Sequence, residues 1–376
     1  MNVSTIRFDR LSTDDLSAWD SIQRNNPALD SPFFRPEFAG AVASVRDDVE
    51  IAVVKDGGRS VGFLPFHRLP WNAGTPLGGV VSDFHGVISP AGVDHCPVEL
   101  IRAAGLGSFK FNRLVCDRQV RFEDHVRDEL SSPYIDLSDG FDAYIESRDN
   151  GRRILKQVRR KKKGLERRVG PIRFEAHSDD REVLETCVRW KTEQYHRTGV
   201  PNVLAPEWVV LLLETILETK SADFAPMFSV LYAGDQIASI DVGMRSRNVW
   251  HPWFCVYNVD MEKYSPGIIH LVDMMKEVPQ LGIERIDLSA GGESYKYRFM
   301  SGERRVGCGA VDARLATATA RRVWWRARDV VRSSPLAGPA RIPARLLYRL
   351  NHWYELRRPG LAREAQRRLA AKNAAQ

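Results

Sequence analysis

The stretch that decides the fold runs from Phe228 to Phe299 and reads FSVLYAGDQIASIDVGMRSRNVWHPWFCVYNVDMEKYSPGIIHLVDMMKEVPQLGIERIDLSAGGESYKYRF. Two β-rich runs, Phe228–Tyr232 and Gln236–Arg245, flank the turn residues Ala233-Gly234-Asp235, which predicts a hairpin. Val249–Tyr257 is rich in aromatic and β-branched residues and predicts a third strand. These strands form the antiparallel part of a sheet.

A helix start follows the third strand. Ser265 is a favoured N-cap residue, and Pro266 suits the first helical position because its missing N–H is not needed there. Gly267 allows a ligand to approach the backbone, and the free N–H groups of the first turn favour an anion. The helix ends at Gly282, and Arg285–Leu288 predicts a short buried strand. The local pattern indicates either an ordinary capped helix or a phosphate site.

The order of these elements resembles the centre of the GNAT (N-acetyltransferase) fold. The chain resembles the CelD-like acetyltransferases and, more distantly, the Fem peptidoglycan aminoacyltransferases. The resemblance is carried by Tyr264-Ser265-Pro266-Gly267, Asp287, Gly291-Gly292, Tyr295-Lys296 and Phe299, with a basic helix upstream and Ser31-Pro32-Phe33 near the start. It covers residues 10–312. The chain departs from the usual pyrophosphate loop, Arg/Gln-x-x-Gly-x-Gly/Ala, since only Gly267 lies where several glycines are normal.

The order strand–helix–helix–strand–strand–strand–helix–strand occurs twice, with Gly78–Ser89 as the third strand region of the first half. We therefore predict an α+β fold of tandem GNAT-like domains, each a mixed sheet flanked by helices. Residues 1–138 form a degenerate domain, and residues 139–314 form a second domain that opens with a basic helix and carries the donor site. Residues 315–376 form a basic amphipathic helical tail.

The composition is that of a soluble globular protein, with 43% apolar and 27% charged residues among 376. Five scattered cysteines, an odd number without paired spacing, argue against a disulfide framework or a zinc site and predict no metal. The polar, acidic start is unlike a signal peptide, and no apolar run approaches the roughly 20 residues that span a bilayer. We expect a cytoplasmic protein, and one of two interpretations of its tail places it on the inner face of the membrane.

The positive charge is concentrated in two places. Residues 152–168 hold ten Lys/Arg, Arg160 among them, against Glu166 alone. Such a helix has a solvated face or binds phosphate, and both interpretations stay open. It lacks the interleaved aromatic residues of a single-strand nucleic-acid platform, so tRNA is a less favoured partner and DNA is not predicted.

The second basic region is the tail, where fifteen Lys/Arg from Arg314 onward face three acidic residues. Val323-Trp324-Trp325 lies among arginines there. Ile342, Leu346, Leu350 and Trp353 recur at helical spacing beside a stripe formed by Arg341, Arg345 and Arg349. This pattern predicts a helix that binds an anionic membrane surface or packs on the first domain. We expect the tail to be dispensable for the fold.

The GNAT resemblance implies where acyl transfer takes place. The donor lies where the third strand and the strand after the helix splay apart, with its carbonyl near Trp253 and Cys255. Its phosphates lie at the helix start formed by Ser265, Gly267 and Ile268. Lys296 matches the Fem-type Gly-Gly…Phe-Lys pattern, and its cation would stabilise the oxyanion or hold a substrate phosphate. A solvent-facing lysine is the alternative.

Further polar residues are candidates for proton transfer and acceptor binding. Asp287 either orients or deprotonates the amine, or instead serves as a helix cap or a partner of Arg285 or Lys296. Asp241 and His251 lie on adjacent strands and are catalytic candidates, with a structural role as the alternative for the histidine. The set assigned to the acceptor consists of Tyr257, Tyr295, Arg160, Asp83 and His85. Asp83 and His85 are two residues apart and therefore point to the same side of their predicted strand. The same spacing also suits a structural polar pair at a sheet edge whose hydrogen bonds are already made.

Together these features predict an N-acyltransferase that moves an acyl group from acyl-CoA to an amino group. The resemblance suggests an amino sugar or a cell-envelope glycan precursor as acceptor. One alternative is a Fem-like aminoacyltransferase using charged tRNA, which the basic helix and the missing pyrophosphate loop favour. A different class of protein, a non-catalytic scaffold of a polysaccharide biosynthesis complex, also stays open.

Overall fold

The computed structural model describes residues 2–116, 120–333 and 360–375, and these form two compact units. The first unit takes its described residues from the ranges 1–29, 38–130 and 305–376. The second unit comprises Asp30–Glu37 and Ser131–Arg304. The short segment Asp30–Glu37 therefore belongs to the second unit although it lies within the sequence of the first.

The described residues form twelve strands and twelve α-helices. The strands are β1 Asn2–Ile6, β2 Val49–Asp56, β3 Arg59–Leu69, β4 Ala73–Pro76, β5 Ser108–Val115, β6 Val126–Asp136, β7 Ile172–Glu175, β8 Phe224–Ala233, β9 Gln236–Ser246, β10 Val249–Tyr257, β11 Arg285–Asp287 and β12 Gly302–Asp312. The α-helices are α1 Thr13–Asn25, α2 Pro36–Val45, α3 Pro97–Ala103, α4 Val120–Glu123, α5 Gly140–Glu146, α6 Gly151–Arg168, α7 Arg181–Thr198, α8 Glu207–Glu218, α9 Pro266–Glu277, α10 Ser294–Phe299, α11 Leu315–Arg332 and α12 Arg363–Ala375.

In the second unit the strands follow the order β6-β11-β10-β9-β8-β7. The pairs from β7 to β10 are antiparallel, β10 and β11 are parallel, and β11 pairs with the end of β6 in antiparallel fashion. The predicted hairpin, third strand, helix and final strand are therefore all present in the expected order. The turn Ala233-Gly234-Asp235 joins β8 to β9 with Gly234 at a φ of 57°.

Helices α6 and α9 share one hydrophobic core with this sheet. Buried apolar residues of α6 (Ile154, Val158 and Leu165) meet those of α9, such as Ile269 and Val272. The apolar stripe of α6 explains why so basic a sequence forms a packed helix: one narrow side is buried while the charges face outward. The core thus fixes the start of α9 beside the strands.

The strands of the first unit follow the order β1-β2-β3-β4-β5-β12, and among these pairs only β4 and β5 are parallel. One prediction is wrong here, because Gly78–Ser89 is not a strand region. Gly78 and Gly79 adopt φ values of 73° and 55°, a left-handed conformation that a strand does not tolerate. The chain continues as a short 3-10 turn and irregular backbone, with single bridges from His85 to Leu114 and from Ile88 to Phe63.

The tail is described in two parts, α11 and α12. No helix among the described residues is long and apolar enough to cross a membrane. The predicted amphipathic face of Ile342, Leu346, Leu350 and Trp353, with its stripe of Arg341, Arg345 and Arg349, lies outside the described residues.

Candidate functional site

The cleft of the second unit begins where β10 and β11 separate. The two strands pair only through Val249 and Trp250, which lie opposite Arg285 and Ile286. Beyond that point β10 continues for seven residues, whereas β11 ends at Asp287 and the chain after it forms a loop. Pro252 has no backbone N–H, and the register of β10 against β9 shifts just after it. Strands that splay in this way leave backbone groups of β10 available to a ligand.

Asp241 and Cys255 face each other across β9 and β10 on the wall of this cleft. The Cys255 thiol donates a hydrogen bond to Asp241 Oδ2 at 3.0 Å. The Asp241 side chain is buried, and its Oδ1 accepts no hydrogen bond from any residue that the structure describes. Burial raises the pKa of Asp241 to about 6, although the Cys255 hydrogen bond and nearby cations oppose this. A carboxylate with that pKa suits a general base near neutral pH.

Helix α10 carries Tyr295 and Lys296 to the same wall. The Lys296 side chain is buried, and its ammonium donates to the Ser289 carbonyl at 3.3 Å and pairs with Glu293 at 3.2 Å. A side chain at Gly291 would bring its Cβ within 2.8 Å of Lys296 Nζ, so the glycine pair makes room for this cation. Burial raises the pKa of the Tyr295 hydroxyl, and the neighbouring Cys255 and Asp241 groups raise it further.

Lys191 on α7 is a cationic neighbour that the sequence analysis missed. Its ammonium donates to the Cys255 carbonyl at 3.1 Å, and its charge opposes the rise in the pKa of Asp241. No motif surrounds Lys191 in the sequence, and nothing short of the packing of α7 on β10 would have identified it.

His251 links β10 to the loop after β11. It is fully buried, and its Nε2 lies 2.9 Å from Ser289 Oγ. The Phe33 ring meets His251 edge-on at 4.9 Å and also contacts the Trp253 ring at 5.4 Å. The predicted Ser31-Pro32-Phe33 feature thus packs at the base of the cleft.

Asp287 is held in an ion-pair network. Arg285 Nε donates to Asp287 at 2.9 Å, and its other nitrogens bind Asp30 at 2.5 and 2.6 Å. Arg304 binds the same Asp30 at 2.8 Å. Burial alone would raise the pKa of Asp287, but Arg285 and Arg304 outweigh it and hold that pKa below its ordinary value. Of the two roles predicted for Asp287, the structure favours the partner of Arg285.

The start of α9 differs from its predicted form. Ser265 has φ 53° and ψ 59°, and its side chain makes no capping hydrogen bond because it accepts one from Lys161 of α6 instead. The N–H groups of Ile268 and Ile269 both donate to the Ser265 carbonyl, at 3.0 and 3.2 Å. The Gly267 N–H has no partner among the described residues, and a Cβ added to this glycine would meet only the Tyr257 ring, at 3.8 Å. The predicted anion site therefore offers one free amide, that of Gly267, and one lysine, Lys161.

The remaining predicted residues are more scattered. The Tyr257 hydroxyl donates to Glu262 at 3.2 Å, and Arg160 is exposed on α6. In the first unit Asp83 is paired with Arg113, and His85 Nε2 lies 3.2 Å from Asn112 Oδ1. Burial lowers the pKa of His85 to about 3, so this imidazole is neutral.

No group of three or more His, Cys, Asp or Glu within residues 2–116, 120–333 and 360–375 is arranged to hold a metal ion.

Comparison with known proteins supports a transferase fold around this site. Residues 152–297 match the family described as acetyltransferase (GNAT) domain. No curated protein matches significantly. FemX is similar in structure at 11% identity and a TM-score of 0.56, over 85% of this chain and 99% of that chain.

Two further structures have comparable folds. L-PGS from Bacillus licheniformis shares 12% identity, with a TM-score of 0.52 over 82% of this chain and 94% of that one. The C-terminal domain of a putative lysylphosphatidylglycerol synthetase from Agrobacterium fabrum shares 12%, with a TM-score of 0.50 over 86% and 97%. At these identities the likeness is one of fold. The predicted α+β, tandem GNAT-like fold is confirmed.

Proposed function

We propose that this chain, an acyltransferase with a GNAT domain, transfers an acyl group from acyl-CoA to an amino group. The observation that carries this proposal is the Asp241 carboxylate. It lies buried beside the splayed strands with one oxygen held by Cys255 and the other without a partner among the described residues. Proton transfer from an amine needs a base placed in this way.

In the proposed reaction the amine nitrogen attacks the acyl carbonyl while Asp241 removes its proton. The new C–N bond forms as the C–S bond of the thioester breaks, and the departing thiolate takes a proton from the Tyr295 hydroxyl. Because the pKa of Tyr295 is raised, this hydroxyl stays protonated until that step. Lys296 and the β10 backbone near Trp253 stabilise the negative charge on the carbonyl oxygen.

The donor phosphates are proposed to lie at the start of α9. The space beside Gly267 is open, and the Lys161 ammonium lies at Ser265, two residues before it in the chain. A helix N-terminus and a lysine together favour an anion even without the glycine-rich pyrophosphate loop. Ile268 packs below them on the partly buried side of α9.

The acceptor is proposed to be an amino sugar or a cell-envelope glycan precursor, on the strength of the family resemblance. Tyr257 and Arg160 are accessible in the second unit for contact with it. Asp83 and His85 belong to the first unit, where they are paired with Arg113 and Asn112. A cytoplasmic location on the inner face of the membrane fits such an acceptor.

The test is turnover by an Asp241→Asn variant with acetyl-CoA and a panel of amines that includes amino sugars, measured as thiol release. We expect kcat to fall by about 10²–10⁴-fold while acetyl-CoA still raises the melting temperature. Asp235→Asn, an exposed turn aspartate, is the matched control and should behave as the unaltered chain. Full activity in Asp241→Asn would contradict the proposal.

A second candidate is a Fem-like aminoacyltransferase that uses charged tRNA. The observation in its favour is the row of exposed cations on α6, namely Arg152, Arg153, Lys156, Arg159, Arg160, Lys163, Arg167 and Arg168. Several phosphate contacts along one helix would make binding fall steeply with salt. Melting shifts with tRNA and with acetyl-CoA at two salt concentrations separate the donors. A shift with neither would favour the non-catalytic scaffold.

A further inference from the structure

Helix α11 packs on the first unit with its charged side. Arg321 donates to Asp312 at 2.7 and 3.1 Å, and Arg328 donates to Asp128 at 3.2 Å. Asp329 of the same helix is paired with Arg127. The Arg127 and Arg321 guanidinium groups also approach the Trp325 ring, each 5.9 Å from its centroid. These contacts fix which side of α11 faces the protein.

The opposite side of α11 is apolar and exposed. Val323, Trp324 and Val330 are 62%, 58% and 67% exposed. The exposed alanines at positions 316, 320 and 327 continue the same stripe at the spacing of three, four and seven residues. A surface helix normally buries its apolar side, whereas α11 turns its apolar stripe to solvent and its ion-paired residues toward the protein.

The positive charge beside the apolar stripe of α11 indicates which kind of partner can cover it. Arg322 and Arg326 border it, are exposed and have no ion-pair partner among the described residues. Residues 334–359 hold five arginines and a single acid, Glu355, so this segment of the tail carries the same sign of charge. A second copy of α11 would also bring like charges together. A surface that is negatively charged at its face and apolar beneath matches both the arginines and the stripe better than residues 334–359 or a second copy of α11 would.

We propose that α11 lies flat on an anionic lipid surface. Its Val323, Trp324 and Val330 side chains would enter the boundary between headgroups and acyl chains, with Arg322 and Arg326 over the lipid phosphates. Tryptophan suits that boundary because its ring is apolar while its N–H can reach water. This proposal does not depend on the donor or acceptor of the transfer reaction, and it places the enzyme at a membrane.

The test is sedimentation of the full chain with vesicles of phosphatidylcholine alone or of equal parts phosphatidylcholine and phosphatidylglycerol. We expect binding to the anionic vesicles that weakens as salt is added. Trp324→Ala should lower the partition by about tenfold, through lost apolar burial. The double variant Arg322→Gln/Arg326→Gln should lower it by about tenfold or more and flatten the salt dependence.

Trp71→Ala is the matched control, because Trp71 is 87% exposed and also belongs to the first unit. It should bind vesicles as the unaltered chain does, and all variants should keep the same melting temperature. Equal binding to neutral and anionic vesicles, or none, would overturn the proposal. A large drop in melting temperature for Trp324→Ala would overturn the proposal, because it would show that another segment of the chain covers the stripe. A concentration-dependent dimer that Trp324→Ala abolishes would also overturn it, because a second copy would then cover the stripe.

Discussion

Lys296 carries a positive charge into a buried position beside the cleft. A buried ammonium is unfavourable unless its hydrogen-bonding capacity is met, and here Ser289 and Glu293 supply two partners. An ammonium has three donors, which leaves capacity for a substrate oxygen. The arrangement is therefore consistent with a cation that stabilises developing negative charge.

Lys296→Met should lower kcat by about 10²-fold or more, with a smaller effect on acetyl-CoA binding. The physical reason is the loss of a fixed positive charge at the carbonyl oxygen. Steady-state kinetics and melting shifts with acetyl-CoA measure the two quantities. Glu293→Gln is the control, since it removes the negative charge paired with Lys296 but keeps the ammonium. A rise in KM alone would reassign Lys296 to holding substrate.

Asp241 should make stability depend on pH. Its folded-state pKa, about 6, lies above the ordinary value of 3.8, so the native state favours the protonated form. That contribution is fully present below pH 3.8 and is lost as the pH rises through about 6. Asp241→Asn should therefore be more stable than the unaltered chain at pH 8, by up to about 3 kcal/mol, and equally stable near pH 3.5. Denaturant unfolding at both pH values measures the free energy of unfolding of the two proteins. A difference between them that is the same at pH 8 and at pH 3.5 would contradict the prediction.

At the scale of elements, the pairing of α6 with α9 is the feature on which the proposed donor binding depends. Lys161 reaches Ser265 at the start of α9, while the next residue, Lys162, binds Asp273 further along the same helix at 2.6 Å. The buried side of α6 sets this geometry, because it leaves only certain lysines within reach of α9. The exposed cations of α6 face solvent.

Lys161→Gln should weaken acetyl-CoA binding, seen as a melting shift reduced by the equivalent of about five- to tenfold in affinity. Lys163→Gln is the matched control, because Lys163 lies two residues away on the exposed side of the same helix. Its acetyl-CoA affinity should not change. If Lys161→Gln and Lys163→Gln lose the same affinity for acetyl-CoA, the helix attracts the donor by its overall charge, and Lys161 does not bind the donor phosphates specifically.

At the scale of the whole molecule, the end of the chain returns to the first unit. The Gly360 carbonyl accepts from the Asp47 N–H at 3.3 Å, and the Ala362 N–H donates to the Val45 carbonyl at 3.2 Å. Ala365 of α12 is fully buried. These contacts argue against the expectation that residues 315–376 are dispensable for the fold.

Ala365→Arg should lower the stability of the first unit by about 2–4 kcal/mol, since the new side chain has no room and no partner for its charge. Thermal unfolding measures the effect. Arg367→Ala, two residues away on the exposed side, is the control and should melt as the unaltered chain does. Identical melting of the two variants would show that α12 does not contribute to the folded unit.

The sequence by itself determined the order of elements around the cleft. The turn at Ala233-Gly234-Asp235, the Pro266-Gly267 helix start and the density of β-branched residues each act over a few neighbouring residues. Such local signals do not depend on the rest of the chain, and for that reason β8 to β11 and α9 could be predicted. The same reasoning failed at Gly78–Ser89, where two glycines in left-handed conformation override the pattern.

Only the tertiary structure decided which side chains meet. The register of β9 against β10 sets Asp241 opposite Cys255, and the packing of α7 on β10 brings Lys191 to the Cys255 carbonyl. Asp30, which belongs to the second unit, forms an ion pair with Arg285. The same holds for α11, whose ion pairs with the first unit turn its apolar side outward. These contacts join residues far apart in the chain, and their energies depend on burial and distance, which no local pattern of residues encodes.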